Sequence, residues 1–220
     1  MSSYLALCQK VDTLIGSQGA ISSVTTGGYQ GMLATYVKNA WLNIQALRPD
    51  WHFLRTKVTF NLTTSSQKYS VLNVFPSSLG VDPVGSFIVD RFLNSDGDKL
   101  TYIPYNQWIL GDYSTASAPR VFTIHPSSLT GYLSFNAVDT TYPITAHYFR
   151  KPQELTLATD TPLCPSEYHD AIVFTAAADL GAFLGNSDIY SNFSVRADHM
   201  VGSLMRSQNP SKRVRARSAC

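Results

Sequence analysis

The sequence predicts an α+β protein: a four-helix bundle made from the N- and C-terminal segments, an inserted antiparallel β domain, and an extended C-terminal arm. Changes of apolar periodicity carry this prediction. Apolar residues recur every three or four positions near both ends, which is typical of amphipathic helices, and every second position in the middle, which is typical of strands. Helices this short are marginal alone, so the two terminal pairs are expected to pack on each other.

Two helices are predicted in the first fifty-odd residues. The first follows Ser2 and Ser3, which can cap its first turn, and ends before Gly16. The second begins near Tyr29 and stops at Pro49, because the residue before a proline avoids the α region. Its apolar stripe leads into a core corner in which two tryptophans flank the proline. The residues assigned to this corner are Trp41, Ile44, Leu47, Trp51 and Leu54.

About seven strands are predicted in the middle of the chain. Turn-forming Pro, Gly, Ser and Asn residues separate them, and Asn94–Gly97 reads as a hairpin turn because Asp-Gly tolerates positive φ. The segments that alternate apolar with polar residues are KVTFNL, QKYSVL, SFIVDR, KLTYIP, RVFTIH, GYLSFN and ITAHYFR.

Helical spacing returns after Cys164. One helix is predicted from Ser166 to Gly185, with Leu180 and Leu184 on its apolar face, and another from Ser187 to Arg206, with Leu204 inward. Pro210 is expected to close the structured part. The predicted division is a helical bundle of residues 1–56 and 164–206, a β-rich domain of residues 57–163, and a basic arm of residues 207–220.

The charge distribution argues against a phosphate-binding body. Only 15% of the 220 residues are charged, against roughly 25% for an ordinary soluble domain. The last fourteen residues contain four bases and no acid, which leaves 13 bases and 15 acids in the other 206. A weakly charged surface suits burial against neighbouring copies, although an uncharged free monomer has the same composition.

No catalytic or metal-binding motif is found in the sequence. There is no G-x-S-x-G, P-loop or H-E-x-x-H, and five histidines and three cysteines are scattered without ligand spacing. Asn94, Asp96 and Asp98 match half of a calcium loop, but Lys99 and Tyr105 stand where that loop needs Gly and Glu. We therefore expect no enzyme activity, no metal and no cofactor. No apolar run approaches the ~18 residues of a membrane span, so no membrane is expected as a partner.

A cluster of aromatic residues gives an alternative function. Tyr102, Tyr105, Trp108 and Tyr113 are dense enough to line a sugar-binding face, since aromatic rings stack on pyranose rings, and the chain would then be a carbohydrate-binding β module. A helix and strand edge packed in a core or in a subunit contact would use the same residues.

Ordered segments at both ends carry a family resemblance. A W-x-x-I-Q…W-x-(F/W)-L corner leads into the first strand, and an R-K-P…P-x-x-(Y/F)-H-D-A-I run opens the penultimate helix. The chain resembles, over roughly half of its length, the head-to-tail adaptor or connector proteins of tailed bacteriophages, particularly the short-tailed kind. The matching segments are YLALCQKV, GYQGMLATYVKNAWLNIQALRPDWHFLRTKVTFNLTTSSQKYS, FRKPQELTLATDTPLCPSEYHDAIVFTAAADLGAFL and HMVGSLMRSQ.

The resemblance implies a structural role in the virion neck for a protein made in the host bacterial cytoplasm. Such adaptors form a ring, expected to be a dodecamer, that adds to the portal protein, continues the DNA channel and offers a docking face to a tail or nozzle protein. Genome DNA would pass through without sequence-specific binding. In related adaptors the C-terminal segment reaches onto the portal. The candidate portal contacts are therefore Lys212, Arg213, Arg215 and Arg217.

Two other classes of protein remain as alternatives to the adaptor. The aromatic cluster would make the chain a carbohydrate-binding β module of a tail or capsid accessory protein. A tail-associated hydrolase lacks a nucleophile–base pair in the sequence.

Overall fold

The chain has a mixed α+β fold, as predicted. The computed structural model describes residues 2–16, 21–25, 27–74, 84–125 and 131–208, without the side chains of residues 72 and 73. The elements in chain order are α1 (Tyr4–Leu14), α2 (Gly28–Ala46), a 3-10 turn (His52–Leu54), β1 (Arg55–Leu62), β2 (Lys68–Ser70), α3 (Val71–Val74), β3 (Val84–Leu93), β4 (Thr101–Tyr102), α4 (Tyr105–Trp108), β5 (Val121–His125), β6 (Tyr132–Phe135), β7 (Tyr142–Arg150), a second 3-10 turn (Ser166–Tyr168), α5 (His169–Phe183) and α6 (Ser187–Ser207).

Two compact units make up the described chain. The helical unit contains the residues up to Phe53 and those from Pro152 onward, and the β unit contains Leu54–Lys151. The polypeptide therefore leaves the helical unit once and returns to it once.

Local signals place the ends of the long helices. The Ser3 hydroxyl accepts a hydrogen bond from the Ala6 amide and caps α1, while Gly16 follows the helix with φ +75°. The Asn186 side chain accepts from the Ile189 amide and caps α6. Gly185, with φ +69°, makes the reversal between α5 and α6, a conformation that costs other residues more.

Helix α5 is the centre of the helical unit, because it packs against α1, α2 and α6. Its sequence is apolar on nearly every side, as expected of a helix surrounded by others. Small side chains let the neighbours approach closely: a Cβ on Gly181 would lie 2.6 Å from Ile189 Cγ2 of α6. The buried residues of α5 are His169, Ala171, Ile172, Val173, Ala176, Ala177, Ala178, Leu180 and Gly181.

The segment from Pro152 to Leu163 belongs to the helical unit, so the predicted boundary at residue 163 is wrong by about a dozen residues. Backbone hydrogen bonds tie this segment to α1: the amides of Tyr4 and Leu5 donate to the carbonyls of Asp160 and Ala158 at 2.7 and 3.1 Å. The buried Gln45 of α2 exchanges two hydrogen bonds with the Gln153 backbone, at 2.7 and 2.9 Å. The sequence shows no apolar periodicity here, because side chain–backbone and loop contacts hold the segment.

The described part of the β unit contains two sheets, of strand order β1-β7-β3 and β2-β6-β5-β4. Strands β1 and β7 pair antiparallel along their length, from Arg55 opposite Phe149 to Leu62 opposite Tyr142. The first and last strands of the unit are thus neighbours, which suits an insertion into another domain.

The sheets of the described β unit are antiparallel, as predicted, except at one short pair. Strand β4 runs parallel to β5, with Thr101 opposite Val121, whereas the other strand pairs of the described chain are antiparallel. The predicted turn after β3 does form: the Asn94 side chain accepts from the Asp96 and Asp98 amides, and Gly97 has φ +86°. The chain then leaves β3 for the other sheet.

Aromatic residues fill the core of the β unit. Phe92 of β3 stacks on Phe122 of β5 with ring centroids 4.1 Å apart, and Phe135 of β6 packs beside Phe122. Leu62, Leu133 and other fully buried residues complete this cluster. The two sheets therefore share one apolar core.

Candidate interaction surfaces

The tryptophan corner of the helical unit is a filled core and not a binding pocket. Trp41 and Trp51 are both completely buried, and the Phe53 ring lies between them, with centroids 5.5 Å from Trp41 and 5.2 Å from Trp51. The Trp51 indole donates to the Gln45 carbonyl at 3.0 Å, and the Arg48 guanidinium covers its ring at 5.6 Å. Such an arrangement leaves no ring face for a ligand.

The predicted corner contains one residue that is not buried. Trp41, Ile44, Trp51 and Leu54 are at most 2% exposed, but Leu47 is 54% exposed. Leu47 is the C-cap of α2 and follows the last helical residue, Ala46. At this position the apolar side of the helix is no longer covered by the rest of the unit. The Leu47 side chain lines the edge of a groove instead.

The aromatic cluster of the β unit is largely occupied by its own rings. Trp108 stacks on Tyr113 with ring centroids 4.0 Å apart and planes 14° from parallel. The Tyr113 ring also lies against Gly111, because a Cβ added to Gly111 would be 2.6 Å from that ring. Tyr105 packs on His125 and Tyr102 on Phe122. This geometry does not favour the carbohydrate-binding alternative, because each of the four rings already packs on another ring of the protein.

A cavity of about 520 Å³ lies beside the second 3-10 turn, where Cys164 and His169 are neighbours of His52. Burial raises the pKa of the Cys164 thiol to about 12, so the thiol is not ionised near neutrality. The His169 imidazole is also buried, and burial lowers its pKa. The pair has the residue types of a nucleophile and a base, but the thiol is not activated.

A groove of about 340 Å³ runs over α5, between the end of α2 and α6. Its walls are largely apolar, and two of these residues are well exposed: Leu47 at 54% and Tyr190 at 50%. The apolar residues that line it are Ile44, Leu47, Ala178, Tyr190, Ala197 and Val201.

Two carboxylates enter the same groove, Asp179 from α5 and Asp198 from α6. Neither forms an ion pair with another residue of the described ranges, whose ion pairs are Lys10–Asp170, Lys38–Glu154 and Arg48–Asp50. Burial raises the pKa of the Asp179 carboxyl, because its charged form loses water without gaining a positive neighbour. The groove therefore combines apolar walls with unpaired negative charge.

Comparison with protein families decides the class of the chain. The model of the family described as SU10 adaptor protein matches residues 2–217, which is nearly the whole chain. The chain belongs to the SU10 adaptor family. None of the curated proteins matches it. The predicted resemblance to a phage head-to-tail adaptor of the short-tailed type is thus confirmed, and a structural adaptor family favours a role without catalysis.

Within the residues that the structure describes, no group of three or more His, Cys, Asp or Glu side chains is placed to hold a metal ion. In the same ranges, no helix is both long and apolar enough to span a bilayer.

The four bases of the predicted portal-binding arm, Lys212, Arg213, Arg215 and Arg217, lie outside the described residues. Ser207, the first residue of the predicted arm, is instead the last residue of α6, and Gln208 is the C-cap of that helix.

The carboxylate groove of the adaptor is the feature that the sequence did not reveal. The predicted apolar faces of the last two helices include Leu180 and Leu204, which are indeed buried. They also include Leu184, which is 51% exposed. One feature of the sequence could have indicated the groove: Asp179 is the single acid within the apolar run of α5. A helix that is surrounded by other helices must direct such a side chain into a gap between its neighbours.

Proposed function

We propose that this adaptor is a non-enzymatic virion protein that forms a ring between the portal and the tail and continues the DNA channel. The observation that carries the proposal is the family match over residues 2–217. Within each subunit, α1, α2, α5 and α6 would act as a four-helix bundle, supported by the contacts of α5 with the other three. The β unit is the insertion between its halves.

Exposed apolar side chains near the α5–α6 reversal support lateral contacts between subunits. Phe183 is 64% exposed, Leu184 is 51% exposed and Tyr190 is 50% exposed, and Tyr36 of α2 lies beside Phe183, with ring centroids 5.9 Å apart. A ring needs a heterologous interface that closes on itself, and clustered apolar side chains are what such an interface buries.

Low charge supports passage of DNA. A channel dense in Lys and Arg would retain the phosphate backbone through counterion release. Outside the basic arm the chain carries 13 bases and 15 acids, so it offers no net attraction. This balance agrees with a conduit through which DNA passes without being held.

The direct test is to mix the purified protein with cognate portal rings and to view the product by electron microscopy. We expect an additional ring of density on one face of the portal. Portal rings that keep their original outline at saturating adaptor would contradict the proposal.

The portal-binding arm has a test of its own. Deleting residues 209–220 leaves α6 intact, since the helix ends at Ser207. We expect the truncated protein to keep its helical circular dichroism and to lose portal binding, because the four arm bases are gone. Equal binding by truncated and full-length proteins would refute the arm assignment.

A further inference from the structure

The groove between α2, α5 and α6 has the chemistry of a docking site for a basic, partly apolar segment. Its carboxylates Asp179 and Asp198 have no cationic partner in the described ranges. Asp198 is exposed and Asp179 is partly buried, so cationic side chains that enter the groove meet both carboxylates. A Lys or Arg stem would at the same time cover the apolar walls.

The segment that follows α6 has the complementary charge. Residues 209–220 read NPSKRVRARSAC, with four bases and no acid. Val214 and Ala216 alternate with the arginines, which suits a groove whose walls are apolar and whose charges are negative. The rest of the chain contains no comparable run of bases.

Chain length lets this segment reach the groove of its own subunit. Asp198 lies ten residues before Gln208 on α6, which is ~15 Å along the helix axis. Arg213 and Arg215 follow Gln208 by five and seven residues, distances that an extended chain spans at up to ~17 and ~24 Å. Asn209-Pro210 is a turn signal at the point where the direction must reverse.

We propose that in the free subunit the basic segment 209–220 folds back along α6 and occupies the α2–α5–α6 groove, where its Lys and Arg side chains pair with Asp179 and Asp198. The proposal goes beyond the adaptor function. It gives the arm a resting site within its own subunit, which a portal contact would have to displace.

Tryptic cleavage of the full-length protein tests the docking without any portal. Trypsin cuts after each of the four bases, and a docked segment is cut only when it opens. We expect the tail of the Asp179→Asn/Asp198→Asn double variant to be cut about three- to tenfold faster than the wild-type tail, the ratio expected for a few exposed ion pairs. In 1 M salt, where the screening length falls to ~3 Å, the two rates should converge.

A matched control separates the groove from general loss of negative charge. Asp188 is exposed on α6 and does not line the groove, so Asp188→Asn should leave the cleavage rate at the wild-type value. Unchanged melting temperatures in all variants show that the fold is kept. Equal tail cleavage in the wild type and the double variant would overturn the proposal.

Zero-length carbodiimide cross-linking identifies the partner of the segment. In the native protein, mass spectrometry should find Lys212 joined to Asp179 or Asp198, and Lys212→Arg should abolish that product. A mixture of isotope-labelled and unlabelled protein shows whether the cross-linked peptides come from one subunit or from two. Links between two peptides of the same subunit support the proposal. Links only between copies would overturn it, because the groove would then hold the tail of a second subunit.

Discussion

At the scale of single residues, His169 is held neutral at the start of α5. The side chain is 2% exposed; its Nε2 donates to the Cys164 carbonyl and its Nδ1 accepts from the Ser2 amide, both at 3.3 Å. The bond that Nδ1 accepts requires the uncharged ring, because both nitrogens of a protonated imidazole are donors. Burial lowers its pKa from the ordinary 6.5, because the charged ring would lose its water.

This histidine should make the stability of the adaptor depend on pH in one direction. The folded pKa is lower than the unfolded one, so the unfolded chain takes up a proton first. The stabilisation is complete above pH 6.5 and is lost as the pH falls toward the lowered folded pKa.

We expect His169→Gln, which can donate but cannot titrate, to destabilise the protein by about 1 kcal/mol at pH 7.5. The difference from wild type should narrow as the pH falls below 6.5, measured by thermal unfolding between pH 5 and 7.5. A difference that stays constant over this range would show that the ring is not held neutral.

At the scale of elements, the contact between α5 and α6 depends on a glycine. A Cβ on Gly181 would meet Ile189 Cγ2 at 2.6 Å and the Tyr190 amide nitrogen at 3.0 Å, so one of the helices would have to shift. Gly202 lies in the interior of α6 and faces open space apart from the flexible Arg206 side chain, 3.6 Å from its virtual Cβ.

These two glycines give a matched pair of substitutions. Gly181→Ala should destabilise the helical unit by about 1–3 kcal/mol through overpacking, although alanine is the better helix former. Gly202→Ala should stabilise it by about 0.5–1 kcal/mol, because only the helix propensity changes. Urea unfolding followed by circular dichroism measures both; a gain of stability at Gly181 would contradict the close α5–α6 contact.

The elements themselves were largely predictable from the sequence, whereas their partners were not. Alternation of apolar residues located the seven strands of the described residues, since the apolar residues of a strand with one buried face recur at every second position. The parallel partner of β4 escaped prediction, because pairing depends on where the chain goes after the Asn94–Gly97 turn. Leu47 and Leu184 were assigned to the core because periodicity continues to a helix end, while burial there depends on neighbours.

At the scale of the whole molecule, a pair of strands explains how one chain builds two units. The β unit begins with β1 and ends with β7, and these strands are hydrogen-bonded neighbours. The order of helices and strands was predictable, and the family resemblance came from the two ends that form the helical unit. The assignment of Pro152–Leu163 to the helical unit was not predictable, because hydrogen bonds such as those of Gln45 with Gln153 leave no pattern in the sequence.

The central claim is that copies of this chain form a closed ring on the portal, and a cryo-electron microscopy reconstruction of the particle's neck tests it most directly. We expect repeated copies of the chain around the DNA channel, in contact with the portal on one side and with a tail protein on the other. The chain found as a single copy, or located away from the head–tail junction, would contradict the account.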